Sequence, residues 1–159
     1  MAKPVARTPA DVDRLFAAAL SAGDLEGALA LYEPDAVYYS EPGDPARGHE
    51  RIRQELAALI ALDCTLDCYA IDVVENGDLA VLRADWVFTG TGADGRKIES
   101  RGRSIEVVRR QPDGSWLFAS TSPPEPVFEG SRCFPNRNWT GDCDQERVLA
   151  GRSGVSLTG

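Results

Sequence analysis

Three side chains of this sequence have the types and spacing needed for proton-transfer chemistry. Glu106 follows Gly102 and Ser104 at intervals of two, so the three share one face of a strand. Tyr39 and Glu41 alternate in the same way. A carboxyl group removed from water can act as a base at neutral pH, and a phenol can stabilise an oxyanion. We predict Glu106 or Glu41 as the base and Tyr39 as the acid or oxyanion donor.

The alternative for each group is structural. If its strand face points outward, Glu106 becomes a cross-strand partner for an arginine. For the other two residues, the structural alternative is that Tyr39 is a core tyrosine and Glu41 is a loop glutamate.

A second polar pair, Arg83 and Asp85, lies two residues apart on another predicted strand. A guanidinium beside Asp85 keeps that carboxylate ionised. The opposite face of the same strand is apolar, with Ala80, Leu82, Ala84, Trp86 and Phe88. We expect the apolar face to point inward and the polar pair to lie outside. The predicted ligand-binding residues are Tyr39, Trp86, Phe88, Ser104, Phe118 and Ser120.

Helices come first among the elements that must position these groups. A first helix begins after the cap residue Thr8, with apolar residues at helical spacing. A second is predicted over Leu25–Tyr32 and ended by Pro34, because proline cannot continue a helix. A third is predicted over His49–Leu62, which contains neither proline nor glycine.

Strands make up most of the remaining pattern. A short strand is predicted over 36–40, and Asn76-Gly77 is a strong hairpin signal between two longer strands. The later strands are predicted over 65–74, 79–89, 96–110 and 116–121. This order predicts an α+β fold, a cone-shaped curved antiparallel β-sheet packed on three N-terminal helices. The mouth of such a cone is a small-molecule site.

The chain is predicted to contain one pocket domain with two extensions. Residues 1–8 form an N-terminal arm, 9–122 the pocket domain, and 123–159 an appended C-terminal tail, partly ordered near Phe134 and Trp139. The tail is rich in Gly, Pro, Ser, Asn and Arg. Cys133 and Cys143 flank a tail loop, and the sequence leaves open whether they form a disulfide or stay free thiols.

The amino-acid composition and the net charge of the chain argue against some classes of binding partner. The 159 residues are 43% hydrophobic and 26% charged, and the formal net charge of −8 argues against nucleic acid. No apolar run is long enough for a membrane span, and the start lacks an apolar signal core, so we expect a cytoplasmic protein with no membrane partner. The single histidine disfavours zinc sites.

We therefore expect a hydrophobic small molecule as the ligand, with neither a metal nor an organic cofactor. We also expect a homodimer through apolar residues on the outer sheet face, namely Val81, Val87, Ile105 and Val107.

Three segments carry a family resemblance. The order of these segments, 32–37, 48–52 and 113–116, resembles that of the SnoaL-like, nuclear-transport-factor-two-like superfamily. This superfamily has a cystatin-like fold and includes ketosteroid isomerase-like proteins. Residues 102–116 are similar to the SgcJ/EcaC-type branch, found in polyketide and enediyne antibiotic biosynthesis. The resemblance implies a cofactor-free cyclase or isomerase of such a pathway.

Two alternatives follow from the same resemblance. The branch usually has Asp-Asn-Pro after the last strand, and the Thr121-Ser122-Pro123 found here lacks that carboxylate. This departure favours a non-catalytic binder or carrier of a hydrophobic polyene. Arg83 and Asp85 also look like the Arg-x-Asp of limonene-epoxide-hydrolase-like members. Epoxide hydrolysis would require both side chains to face inward.

Overall fold

The computed structural model describes residues 5–39, 44–121 and 125–126. The predictions for Glu41, for the cysteines Cys133 and Cys143, and for tail order near Phe134 and Trp139 lie outside these residues.

Helices precede most of the strands, as the pattern predicts. The helices are α1 (Pro9–Ser21), α2 (Leu25–Leu29) and α3 (Gly48–Ile60). The strands are β1 (Tyr32–Tyr38), β2 (Ala46–Arg47), β3 (Thr65–Asn76), β4 (Leu79–Thr91), β5 (Lys97–Arg110), β6 (Trp116–Thr121) and β7 (Glu125–Pro126).

These strands form one curved sheet in the order β2-β1-β6-β5-β4-β3, with β7 beside β5. The pairings are antiparallel except between β1 and β6, which are parallel. The predicted α+β fold is confirmed, and the sheet is mixed rather than wholly antiparallel. The parallel pair is possible because a helix and two long hairpins separate β1 from β6.

The second helix is shorter than predicted. It ends at Leu29, and both Tyr32 and Pro34 belong to β1. The register between β1 and β6 shifts between Tyr32 and Val37, which accommodates a proline within the strand. The Tyr32 ring is 1% exposed and packs against the rings of Phe16 and Phe118. The helical spacing of apolar residues that predicted a longer helix therefore included Tyr32, which is a buried residue of the strand.

Alternation along β4 and β5 decides which residues meet the helices. On β4 the buried positions are Ala80, Leu82, Ala84 and Gly90, and the first three confirm the predicted inward face. On β5 the buried positions are Gly102, Ser104, Glu106 and Val108. Their neighbours in sequence point to the opposite side.

A bulge in β6 changes this alternation near its end. Val108 pairs with Phe118, but Val107 pairs with Ser120, so Ala119 is the extra residue. Ser120 consequently lies on the outer face beside Val107, and Thr121 takes the inward position opposite Glu106. The prediction that Ser120 lines the pocket is wrong for this reason.

Within the described residues, no helix combines the length and apolar character needed to cross a membrane.

Replacing Phe118 by alanine should lower the free energy of unfolding by about 3–5 kcal/mol, because the ring is fully buried in the core. Val5→Ala is the control, since Val5 is 47% exposed and should cost less than about 0.5 kcal/mol. Urea denaturation measures both variants. Equal losses would contradict the packing described above.

Candidate functional site

A cavity of about 250 Å³ lies between α1, α3 and the inner face of the sheet. Its walls are mostly aromatic and aliphatic: Phe16, Leu20, Tyr32, Tyr38, Tyr39, Leu59, Leu66, Trp86, Phe88 and Phe118. Its other lining residues are Asp13, Cys68, Ser100, Ser104, Glu106 and Thr121. Apolar walls with a few convergent polar groups are typical of small-molecule sites.

Two carboxyl groups from different elements meet in this cavity. Glu106 comes from β5 and is 5% exposed, and Asp13 comes from α1 and is only 1% exposed. The structure thus places Glu106 inside, as predicted, but Asp13 is the more deeply buried acid. The negative charge of Asp13 acts on Glu106 through space, so the two form an interacting pair.

Burial leaves three oxygen atoms of this site without a hydrogen-bond partner among the described residues. They are Oδ2 of Asp13, Oε2 of Glu106 and Oγ1 of Thr121. Unsatisfied buried polar atoms are rare in native proteins and are costly. All three atoms belong to residues that line the cavity.

Both carboxyl groups hold their protons more tightly than ordinary acids. Burial, reinforced by the charge of Asp13 and partly offset by the Ser104 hydroxyl, raises the pKa of Glu106 to about 8. Burial also raises the pKa of Asp13, to about 7. Because the two groups interact, these values describe the pair, which can share one proton near neutral pH.

The phenols around the pair are also shifted. Tyr32 is fully buried, and desolvation together with the nearby Tyr38, Glu106 and Asp13 raises its pKa. Desolvation and then Glu55 raise the pKa of Tyr38 to about 12. Both phenols are therefore neutral at physiological pH and can donate hydrogen bonds. The predicted donor Tyr39 also lines the cavity.

The other predicted site residues divide between the two faces of the sheet. Trp86, Phe88, Ser104 and Phe118 line the cavity. Arg83 and Asp85 do not, because they occupy the outward positions of β4.

On the outer face the charged residues find partners on neighbouring strands. The Arg103 Nε donates to Asp85 Oδ1 at 2.9 Å, and Arg83 lies 3.8 Å from Asp72. The alternative in which Arg83 and Asp85 hydrolyse an epoxide in the pocket is wrong, because it requires both to face inward.

The polar lining residues that the sequence prediction missed are Asp13, Tyr32, Tyr38, Cys68, Ser100 and Thr121. Asp13 had a detectable signal, since it stands three and seven residues before Phe16 and Leu20, on the inward side of α1. Tyr32 was assigned to the wrong element. The bulge that turns Thr121 inward leaves no signal in the sequence.

Metal-binding clusters are not found in the part of the chain that the structure describes, where no three or more His, Cys, Asp or Glu side chains converge.

Fold and cavity together define a helix-covered, curved-sheet domain with an internal small-molecule pocket. The SnoaL-like domain profile matches residues 12–118, and the chain belongs to this family. No curated protein gives a significant match. The narrower SgcJ/EcaC-type branch stays a prediction.

Solved structures show the same fold at low identity. A ketosteroid isomerase-like protein from Erwinia carotovora atroseptica is 20% identical, with 68% of this chain and 85% of that chain covered and a TM-score of 0.61. A nuclear-transport-factor-two-like protein from Salmonella enterica is also 20% identical, with coverages of 74% and 89% and a TM-score of 0.62. A candidate dehydratase from Streptomyces avermitilis is 18% identical, with coverages of 72% and 91% and a TM-score of 0.62.

The raised carboxyl pKa values predict how stability depends on pH. Between the unfolded pKa of about 4.5 and the folded pKa of about 8, the folded protein binds the Glu106 proton more tightly than the unfolded chain. The free energy of unfolding contributed by Glu106 is therefore fully present at acidic pH and is lost as pH rises through this window. Glu106→Gln should remove this pH-dependent loss. The free energy of unfolding of the variant, measured by urea denaturation, should therefore increase relative to that of the natural protein from pH 5 to pH 8.

Asp11→Asn, on α1, provides a control of opposite sign. Arg14 and the backbone around Thr8 lower the pKa of Asp11 to about 2, so its contribution is present above pH 3.8 and lost below that value. This variant should differ from the natural protein mainly above pH 4, without a trend between pH 5 and 8. The same trend in both variants would contradict the assignment to Glu106.

Proposed function

We propose that the protein is a cofactor-independent acid-base catalyst, an isomerase or cyclase that acts on a small molecule with an apolar body. The observation that carries the proposal is the Asp13–Glu106 pair, buried in an aromatic cavity. Two carboxyl groups that share one proton supply a base and an acid at the same pH.

The proposed reaction needs only proton transfer. The ionised carboxyl group of the pair takes a proton from a carbon next to a carbonyl group, and the carbonyl oxygen becomes an enolate. The protonated carboxyl group of the pair and the hydroxyl of Thr121 or Tyr39 stabilise that oxygen by donating hydrogen bonds. In an isomerase the carboxyl group that took the proton returns it to a different carbon, and the double bond moves.

In a cyclase the same enolate attacks a second carbonyl carbon of the molecule. One carbon–carbon bond forms, and the new alkoxide accepts a proton from the protonated carboxyl group of the pair. Neither outcome consumes an oxidant or a reductant. The fold of this family includes isomerases and dehydratases, whose chemistry also moves protons.

The pathway that we propose is the biosynthesis of a polyketide-like or enediyne-like metabolite. Seven aromatic side chains line the cavity and would suit a flat or polyene body. Support for this finer assignment also comes from the resemblance of 102–116 to the SgcJ/EcaC-type branch.

A non-catalytic binder is the second candidate. It is favoured by Thr121, which stands where the branch usually has a carboxylate, because one acid at the inner end of the sheet is thereby absent. Asp13 and Glu106 would then serve only to hold the ligand.

Solvent exchange separates the two candidates without knowledge of the substrate. In D₂O the protein should speed deuterium incorporation next to the carbonyl of small aromatic ketones, measured by mass spectrometry. Glu106→Gln should slow this exchange by about 10²–10⁴-fold, the usual contribution of a general acid or base, because it leaves the pair with only one carboxyl group. Asp85→Asn, on the outer face, should leave it within about twofold. Ketone binding without exchange would establish the binder and overturn the catalyst.

We also propose that the protein is a homodimer through the outer sheet face. Tyr69, Val74, Val81 and Ile105 are exposed there at 58%, 62%, 42% and 47%. Strand pairing places Val81 directly between Val74 and Val107. An exposed apolar surface of this kind is typical of an interface.

Val81→Lys should convert the dimer to a monomer in sedimentation velocity, because a charge would be buried at the centre of the patch. Thr89→Lys is the matched control on the outer face of the same strand, and it should remain dimeric. A natural protein that sediments as a monomer would overturn the proposal.

A further inference from the structure

The carboxyl pair indicates the chemical class of the ligand as well as a reaction. We propose that the ligand carries a protonated amine on an apolar body, with the amine held between Asp13, Glu106 and Thr121. This inference rests on the proposed function, because both use the same pair in the same cavity.

The first argument is the number and type of the unpartnered atoms. Oδ2 of Asp13, Oε2 of Glu106 and Oγ1 of Thr121 converge on the cavity, and none has a partner among the described residues. A primary ammonium group has three donors and no acceptor, so it matches three oxygen acceptors. A ligand carbonyl can only accept hydrogen bonds and would leave an ionised carboxylate unsatisfied.

The second argument is charge. A carboxyl pair that shares one proton carries one negative charge, and a buried charge is stable only when it is paired. The described residues that line the cavity include no Lys, Arg or His. The groups facing the pair are Tyr32, Tyr38 and Tyr39 from β1 and its end, and Cys68 from β3.

More distant titratable groups do not change this balance. Glu55 of α3 acts on Tyr38, and Asp85 of β4 acts on Cys68, and both are acids. Among the described residues, the charged groups found to act on the site are therefore all acids. A cationic ligand supplies the missing positive charge, whereas an anionic ligand would be repelled.

The third argument is the cavity wall. Phe16, Tyr32, Trp86 and Phe118 present ring surfaces to the same space as the carboxyl groups. Aromatic faces attract a desolvated cation, and they also pack against an apolar body. Acids alone would suit any cation, but acids with aromatic walls favour an organic amine over a hydrated metal ion.

Amine binding and proton transfer are compatible in this site. The single negative charge of the pair balances one ammonium group, and the single shared proton remains available for transfer. The proposed catalyst would thus act on a substrate whose nitrogen is held by the carboxyl pair and Thr121, while the proton that the pair retains remains available for transfer.

Calorimetry with matched probes tests the inference. The probes are benzylamine and naphthylmethylamine, each with its alcohol isostere, and naphthoic acid as the anionic counterpart. We expect the amines to bind at least tenfold more tightly than the alcohols, and the acid not to bind. Amine affinity should rise from pH 5 to pH 8, because the carboxyl pair loses protons over this range. Amine binding should also release a proton, which is measured as a binding heat that depends on the buffer.

Variants assign the effect to the proposed atoms. Glu106→Gln and Thr121→Val should each weaken amine binding, by about tenfold and severalfold respectively, with little effect on the alcohols. Asp85→Asn should change neither. Circular dichroism confirms folding, and the amine-to-alcohol ratio of the natural protein remains decisive if a variant fails to fold.

Alcohols that bind as tightly as amines would overturn the inference, as would amine affinity that falls from pH 5 to pH 8 or no amine binding at millimolar concentration. Amine binding without any deuterium exchange would overturn the proposed catalyst and keep this inference. Deuterium exchange of neutral ketones, together with no preference for amines over alcohols in binding, would keep the proposed catalyst and overturn this inference.

Discussion

The removal of two carboxyl groups from water is the constraint on which this structure depends. Each buried ion costs several kcal/mol, and replacing such groups by apolar residues is often stabilising. Asp13 and Glu106 are nevertheless almost wholly buried, with no cation among the described residues that line their cavity. The fold tolerates them because each can stay protonated, and that protonated state is what a proton-transfer site or an amine-binding site requires.

The rest of the domain holds these two acids at a fixed separation. The rings of Phe16, Tyr32 and Phe118 form a cluster with centroid distances of 5.8, 5.7 and 4.9 Å, and it joins α1 to β1 and β6. Because Phe16 is anchored in this cluster, α1 cannot rotate, and Asp13 one turn earlier must face the cavity. On the sheet side, strand alternation turns Glu106 inward.

The same alternation separates acids with different roles. Asp85 and Glu106 lie on adjacent strands but on opposite faces of the sheet. Asp85 finds Arg103 beside it at a half-exposed surface, and such an ion pair contributes little to stability. Glu106 has no Lys, Arg or His beside it among the described residues that line the cavity. Position relative to the sheet, rather than residue type, therefore makes one acid a candidate for chemistry and the other a surface group.

Much of the fold could be predicted from the sequence because its signals are local. Alternation along β4, the turn at Asn76-Gly77 and the Thr8-Pro9 helix start each depend on a few neighbouring residues. Spacing alone put Glu106 on one face with Gly102 and Ser104, but it left open whether that face points inward. The bulge at Ala119 depends on pairing between distant strands. The sequence therefore could not show that Thr121, rather than Ser120, takes the inward position. Tyr32 was misassigned because one apolar residue at helical spacing also fits a buried strand.

The central claim is that Asp13 and Glu106 are a coupled pair of acids with raised pKa values. Carbon-13 NMR of the side-chain carboxyl carbons, followed from pH 3 to pH 10, measures this directly. Two interdependent titrations above about pH 6 are predicted, with the Glu106 signal moving to an ordinary value in Asp13→Asn. If both carboxyl groups of the natural protein titrate near pH 4, independently of each other, then the pair is neither buried nor coupled in solution, and the account of the site is contradicted.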